Sequence, residues 1–404
     1  MRNAGSPLKP RGTRRFIFAH EPDLFYSSLG TVNVLRFHRR LRLSGSSGPL
    51  FGLVVFFLFS LVGPVSAAAT EIRVRILHAA AAEFTGDLRY RGRDTRGADS
   101  PVTIRVGRGG LMVNGERERG AVELRARRGM VSVAGRSYRG NMRITAVEGR
   151  VQVINRVPLN EYLASVLGSE MGPSWPPEAL KAQAVVARSY VMARRQASKS
   201  RDFDVEASVL SQVYRGIEGE DPRTQAAVRA TRNRVLTHEG RVIEAFYHST
   251  CGGRTEDPGA IWTSGASPIR SVEDTYCDIS PHFFWTHRIS PRELGRLLGL
   301  PPIQAVKILS RSPGGRAMRV QFVSGDDRSR TLDGDEVRKL LGYNRLRSTL
   351  FRVTADDGVF LFRGGGSGHG VGLCQWGARA QAEEGRDYRT ILRHYYPELR
   401  LSRL

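Results

Sequence analysis

The chain has 404 residues, 40% hydrophobic and 8% aromatic, with a formal net charge of +23. That length holds two or three ordinary domains with proper cores, and the composition excludes a disordered chain. Only five of the 62 basic residues are lysines. Such an arginine bias is expected of a GC-rich genome, so charge alone does not mark a nucleic-acid binder, although a basic surface suits anionic partners, including membrane and cell-wall polymer.

Residues 1–70 read as an export leader. Nine Arg or Lys against Glu21 and Asp23 precede an apolar run of thirteen residues from Leu50 to Val62, and Val65-Ser66-Ala67 resembles an A-x-A-type cleavage site. The run is short for a membrane span, so a signal peptide is expected, with an uncleaved anchor as the alternative. No cysteine lies near the cleavage site, which argues against a lipoprotein. The body is therefore expected outside the cytoplasm, in the wall, periplasm or medium, with no nucleic acid as partner and with membrane contact only through an uncleaved N-terminal segment.

Residues 71–156 read as a small all-β module. EIRVRIL alternates strictly, and three strand–turn–strand units begin at Gly110, Gly129 and Gly149. From Pro158 the texture changes to a helix ending near Gly172. A second helix runs from Pro176-Pro177 to about Ser198, and a third covers 221–240. VIEAFYHSTCGG reads as a strand entering a glycine turn. Residues 285–360 form a mixed α/β insertion, with helices at ELGRLLG and DEVRKLLG and strands at AVKILSR, AMRVQFV and GVFLF. A glycine-rich loop, a helix and a last amphipathic helix at YRTILRHYYPEL follow. The expected class is α+β: the β module, then a mixed domain over 157–404.

Three places could carry chemistry. In the first helix Leu159, Tyr162, Leu163, Val166 and Leu167 make one apolar face, and the next position on that face is Glu170. Either the helix frays into water there, or a carboxyl is held against apolar surface, its pKa raised toward that of a general acid. The second place is GGGSGHGVGLCQWGA, where glycines around His369 let a backbone approach a ligand; no Gly-Lys-Ser/Thr follows, so it is not a phosphate loop. The third is YHSTCGG, with His248 and Cys251. A Cys–His nucleophile needs a reduced thiol. In an oxidising compartment Cys251 and Cys277 are instead expected to form a disulfide, leaving Cys374 free. A metal reading would combine His248, Cys251, Cys277, His369 and Cys374, but no CxxC or HExxH pair is present and no metal or other cofactor is expected.

In order, VPLNEYLASVLGSEM, PPEALKAQAVVARSY, SQVYRG, FYHSTCGG, GHGVGLCQWGA and ILRHYYP resemble the stage II sporulation protein D / amidase-enhancer (SpoIID/LytB) family over roughly residues 136–404. The resemblance implies a peptidoglycan lytic transglycosylase with Glu170, in Ser169-Glu170-Met171, as its one catalytic glutamate. It equally leaves a non-catalytic wall-binding activator of an N-acetylmuramoyl-L-alanine amidase as the alternative, with that amidase as partner. It further implies that Lys181, Gln183, Arg188, Gln212, Tyr214, His248 and His369 line a groove for the glycan. Two departures stand out. Some members carry a Cys/His zinc site just before the QVY block, where this chain has Ala207, Leu210 and Ser211, so no zinc is implied there. The glycine-loop block usually has Ser where this chain has Cys374.

Overall fold

The computed structural model describes residues 70–94, 101–199, 201–208, 211–262 and 267–404. The expected leader and cleavage site fall on residues 1–69, outside the described residues. Among the described residues no helix is long and apolar enough to cross a membrane.

The N-terminal strands are β1 (Glu71–Ala79), β2 (Ala81–Thr85), β3 (Leu88–Tyr90), β4 (Arg93–Asp94), β5 (Val102–Gly107), β6 (Gly110–Val113), β7 (Glu116–Glu118), β8 (Val122–Val133), β9 (Arg136–Val147) and β10 (Arg150–Pro158). They form a mostly antiparallel sheet, ordered β1-β10-β9-β8-β2-β5-β6-β7, with β3 also on β8. Its turns include two-residue hairpin loops. Asn114-Gly115, Ala134-Gly135 and Glu148-Gly149 each place both residues at positive φ, the geometry that follows the twist of paired strands. The repeated glycine units of the sequence are these hairpins. Alternate residues point inward, so Ile72, Val74, Ile104, Leu124, Met142, Ile144 and Val153 are buried.

Beyond β10 come helices α1 (Leu159–Glu170) and α2 (Pro177–Ala197). Leu159, Tyr162, Leu163, Val166 and Leu167 all pack into the core that the sheet begins, so packing is continuous where the texture changes from strand to helix. Strand β11 (Val205–Glu206) adds to the sheet edge, parallel to β1. Helix α2 is buried on two sides. Ala179, Leu180, Ala184, Ala187 and Val191 face the first core. Ala182, Val185 and Val186 face a second, shared with Leu236, Val371, Leu373, Ala378 and Ile391.

The expected helix over 221–240 is half helix. Helix α3 (Pro222–Ala230), started by an Asp221–Thr224 capping box, stops at Thr231, and Asn233 turns at φ 60°. Strand β12 (Arg234–His238) follows, because its β-branched residues pair with the last strand of the chain, 400–403. VIEAFYHSTCGG is strand only at Val242 and at Tyr247-His248. After β13 (Arg241–Val242) comes β14 (Tyr247–His248), whose partner is two residues long. The short helix α4 (Pro258–Ile261) and strand β15 (Phe284–Ile289) lead into the insertion. Its elements are α5 (Pro291–Leu298), β16 (Ile303–Arg311), β17 (Ala317–Ser324), β18 (Ser329–Asp333), α6 (Gly334–Leu341), β19 (Phe351–Asp356) and β20 (Val359–Gly365). These surround a third core of their own, including Leu294, Phe322, Val337 and Phe362. Strand β21 (Leu373–Cys374), α7 (Gln375–Glu383), α8 (Tyr388–Tyr395) and β22 (Arg400–Arg403) complete the chain.

The two-sided burial of α2 is testable. Ala187→Leu forces methylenes into a filled interface and is expected to destabilise by about 1–3 kcal/mol. Leu163→Ala on α1 opens a cavity and is expected to cost about 2–5 kcal/mol. Urea unfolding of both variants checks this, with loss expected in each.

Candidate functional site

A cleft of about 380 Å³ opens where the end of α1, the middle of α2, β14 and the glycine-rich loop converge. Glu170, Tyr190, Ser211, Phe246, Tyr247, His248, Ser249, Trp262, Gly368, His369 and Gln375 line it. Glu170 is the last residue of α1, and the apolar face of that helix docks it into the first core. The carboxyl keeps some solvent contact, yet protein surrounds most of it. Its Oε1 accepts hydrogen bonds from the Val213 N–H at 2.7 Å and the Tyr247 hydroxyl at 3.2 Å. Burial pushes Glu170 above the usual carboxylate range, and these donors and the Arg215 charge only partly offset it. The helix C-terminus, with its partial negative charge, works in the same direction as burial.

Two histidines face this carboxyl's cleft, their rings 5.5 Å apart. His248 Nδ1 lies 3.1 Å from the Val371 carbonyl, so it donates, and the buried Nε2 is a bare acceptor with no protein partner. His369 Nδ1 accepts from the Val371 N–H at 3.1 Å, which puts its proton on Nε2. Burial, then the neighbouring His369 and Arg316, holds His248 well below its ordinary pKa. Burial, then Arg316, pushes His369 down to about 3. Both rings are neutral at neutral pH. Gly368 brings the loop this close: its φ is +104°, and a Cβ there would meet the His248 Cβ at 2.8 Å. Trp262 and Phe246 build an aromatic wall, with ring centroids 4.7 Å apart and Trp262 5.2 Å from His369.

The residues expected to line a groove divide into two groups. Glu170, His248 and His369 share the cleft. Gln212 stands behind it, buried, accepting from the Tyr162 hydroxyl at 2.8 Å. Gln183 is wholly buried and its amide has no hydrogen-bond partner. Lys181 pairs with Glu178 at 2.5 Å, and the other Glu178 oxygen accepts from the Tyr388 N–H, so this lysine belongs to the α2–α8 contact. Arg188 is buried and donates to the carbonyls of Thr231, Arg234 and Val228, capping the end of α3. Tyr214 is a core ring whose hydroxyl donates to Asn155 at 2.8 Å. These three do not line the cleft, because their polar ends are consumed by local packing.

Sequence reasoning did not single out Tyr247, Trp262, Phe246 or Gln375. The FYHSTCGG block holds Phe246 and Tyr247 beside His248 and the GHGVGLCQWGA block holds Gln375, while Trp262 lies in none of the quoted blocks. The expected Cys251–Cys277 disulfide is not formed: both thiols are free, their sulfurs 3.3 Å apart, well beyond the ~2.05 Å of an S–S bond.

One shielded carboxyl, two neutral imidazoles and an aromatic wall thus meet in one cleft. The Stage II sporulation protein (SpoIID) family profile matches residues 147–238, and a Domain of unknown function (DUF8618) profile matches 278–372, which spans the insertion and runs on through the glycine-rich loop with Gly368 and His369. A stage II sporulation protein D of Bacillus amyloliquefaciens is 33% identical over 62% of this chain and 75% of its own length. An uncharacterized protein of Brachyspira hyodysenteriae is 34% identical over 60% of this chain and 66% of its own. An amidase enhancer of Bacillus subtilis is 30% identical over 59% of this chain, which spans 40% of that protein. The chain belongs to the stage II sporulation protein D / amidase-enhancer family.

The raised pKa of Glu170 has a consequence for stability. The folded state binds this proton more tightly than the unfolded chain does. The stabilisation is whole below the ordinary value of 4.5 and is lost as pH rises through the raised folded value. Glu170→Gln, always neutral and still able to accept from Val213 and Tyr247, escapes that loss. It is expected to exceed wild type in stability near pH 7, by about 1.4 kcal/mol for each tenfold difference in proton affinity, and to match it near pH 3. Urea titrations at the two pH values check the sign.

Proposed function

We propose that this protein acts outside the cytoplasm on bacterial cell-wall peptidoglycan, cleaving glycan strands between N-acetylmuramic acid and N-acetylglucosamine by a one-carboxyl lytic transglycosylase mechanism. The observation that supports the reading is the Glu170 carboxyl at the cleft, where burial makes its proton harder to lose than that of an ordinary carboxyl. As general acid, Glu170 protonates the glycosidic oxygen as the C1–O bond breaks. As carboxylate, it then takes the proton from the muramic 6-hydroxyl, whose oxygen closes on C1. The product is a 1,6-anhydro end and Glu170 returns protonated. Because the nucleophile belongs to the substrate, no second carboxylate is needed, unlike the paired carboxyls of ordinary glycosidases. Glu170 is indeed the only carboxyl among the described residues lining the cleft.

The other residues act as binding and positioning groups. Tyr247 and the Val213 N–H hold Oε1 in place and stabilise the carboxylate when it forms. The bare His248 Nε2 accepts a sugar hydroxyl or amide proton, and the unpartnered Gln375 Nε2 donates one. Trp262 offers an apolar face for a pyranose ring. Gln212 supports this shell from behind. The histidines stay neutral, so they neither compete for the transferred proton nor depress the pKa of Glu170.

The 30% identity to an amidase enhancer supports a second reading, in which the cleft binds glycan without cutting it and the chain stimulates a wall amidase. Mass spectrometry of products from purified sacculi separates the two. For the enzyme, wild type releases 1,6-anhydro-muramic products and Glu170→Gln loses release by roughly 10²–10⁴-fold, the usual worth of a general acid. Wild type that binds sacculi and releases none supports the enhancer reading.

A further inference from the structure

Beneath the cleft, four side chains that the proposed reaction does not use meet in the second core. Cys251, Asp274, Cys277 and Cys374 are each wholly buried, and one ligand atom from each lies within 4.8 Å of all the others. The Cys251 sulfur stands 3.3 Å from that of Cys277 and 3.2 Å from Asp274 Oδ2. In a tetrahedral zinc site with Zn–S near 2.3 Å, sulfurs are separated by about 3.8 Å, so these spacings surround a centre of the right size.

The shell around the four is built for anions. The Cys374 sulfur accepts the N–H groups of Cys251 at 3.3 Å and Gly377 at 3.4 Å, the latter in the first turn of the nine-residue α7. Asp274 accepts the Tyr395 hydroxyl at 2.9 Å and the Tyr276 N–H at 3.1 Å, which orient its carboxylate. Among the described residues no ion pair reaches Asp274, so a buried carboxylate stands beside three thiols without a cation against it. The Arg316 guanidinium is fully buried nearby and donates from Nη2 to the Cys251 carbonyl at 2.9 Å, while its Nη1 has no hydrogen-bond partner.

We propose that Cys251, Asp274, Cys277 and Cys374 bind one structural zinc ion. Three thiolates and a carboxylate complete a closed tetrahedron with no open position, which makes it a holding rather than a catalytic metal, and three soft sulfurs select zinc over the hard cations. Binding releases the three thiol protons. A Cys251–Cys277 disulfide would use two of the four groups and leave Cys374 and the Asp274 carboxylate uncompensated. The zinc uses all four. It ties the β14 loop, which carries His248 three residues before Cys251, to β21, which pairs His248 with Cys374. The site stands on its own, independent of the reaction at Glu170.

The test is metal content and thiol count on the full chain, purified with zinc present and never exposed to chelator. Elemental analysis is expected to give about one zinc per chain. Intact mass should match three reduced cysteines, and all three should titrate after denaturation with EDTA. Cys374→Ser and Asp274→Asn should each lower retained zinc at least about tenfold. Should those variants not fold, cobalt loading of the wild-type chain provides the second measurement: thiolate-to-cobalt charge-transfer absorption and tetrahedral visible bands are expected. A chain lighter by two hydrogens with one titratable thiol and no zinc overturns the proposal in favour of the disulfide. Three free thiols with neither zinc nor a cobalt–thiolate spectrum overturn it as well.

Discussion

Everything around the cleft depends on α2 being buried on two sides. A helix with one apolar stripe could dock on the sheet or on the C-terminal elements, but not both. Here alanines at 179, 182, 184 and 187, with Val185 and Val186, make it narrow enough to be the shared wall of two cores. Two of its buried polar residues are held by the neighbouring main chain. Arg188 is held by three main-chain carbonyls of the α3–β12 corner, and Ser189 links the Val185 carbonyl to the Leu236 N–H. The cleft forms at the one end where the two cores diverge, with Tyr190 of α2 on its rim.

Two buried carboxylates show what separates a structural acid from a chemical one. Burial pushes Asp204 up, but bonds from the Arg73 guanidinium and main chain and from the Ser198 hydroxyl outweigh it, and the group ends below its ordinary range. Burial also pushes Glu170 up, and there the bonded donors are a main-chain N–H and a phenol, both neutral. A full charge bonded to Glu170 would favour its anion and lower its proton affinity. Neutral donors hold the carboxyl in a fixed position without reversing the effect of burial.

The parts legible in the sequence were those set by short-range pattern. The α1 stripe, the proline start of α2, the glycine hairpins and the position of Glu170 all follow from spacing over fewer than a dozen residues. What spacing could not show is decided by partners far along the chain. β12 continues a helical-looking segment, yet it pairs with a strand 163 to 169 residues later, where Arg234 faces Arg403. Lys181, Arg188 and Tyr214 have the chemistry of groove residues, but each finds its partner in local packing. Trp262 lies in none of the quoted blocks, and only the fold brings it against Phe246 and His369. The cysteines gather across separations of 26 to 123 residues, which no CxxC spacing announces.

The insertion also acts on the site without lining it. It has its own core and its own profile match, and it could be read as an appendage. Its ties say otherwise. Glu256, just past the cysteine loop, accepts the Ser312 hydroxyl and the Gly314 N–H, and Arg316 reaches the Cys251 carbonyl. The same buried guanidinium lies close enough to depress the proton affinity of both His248 and His369. Two adjacent imidazoles without that charge would have only burial and each other to keep them neutral. With it, the proton affinity of both rings falls further. The insertion therefore contributes electrostatics to a cleft whose walls come entirely from elsewhere, and its attachment point is the loop between His248 and the cysteine cluster.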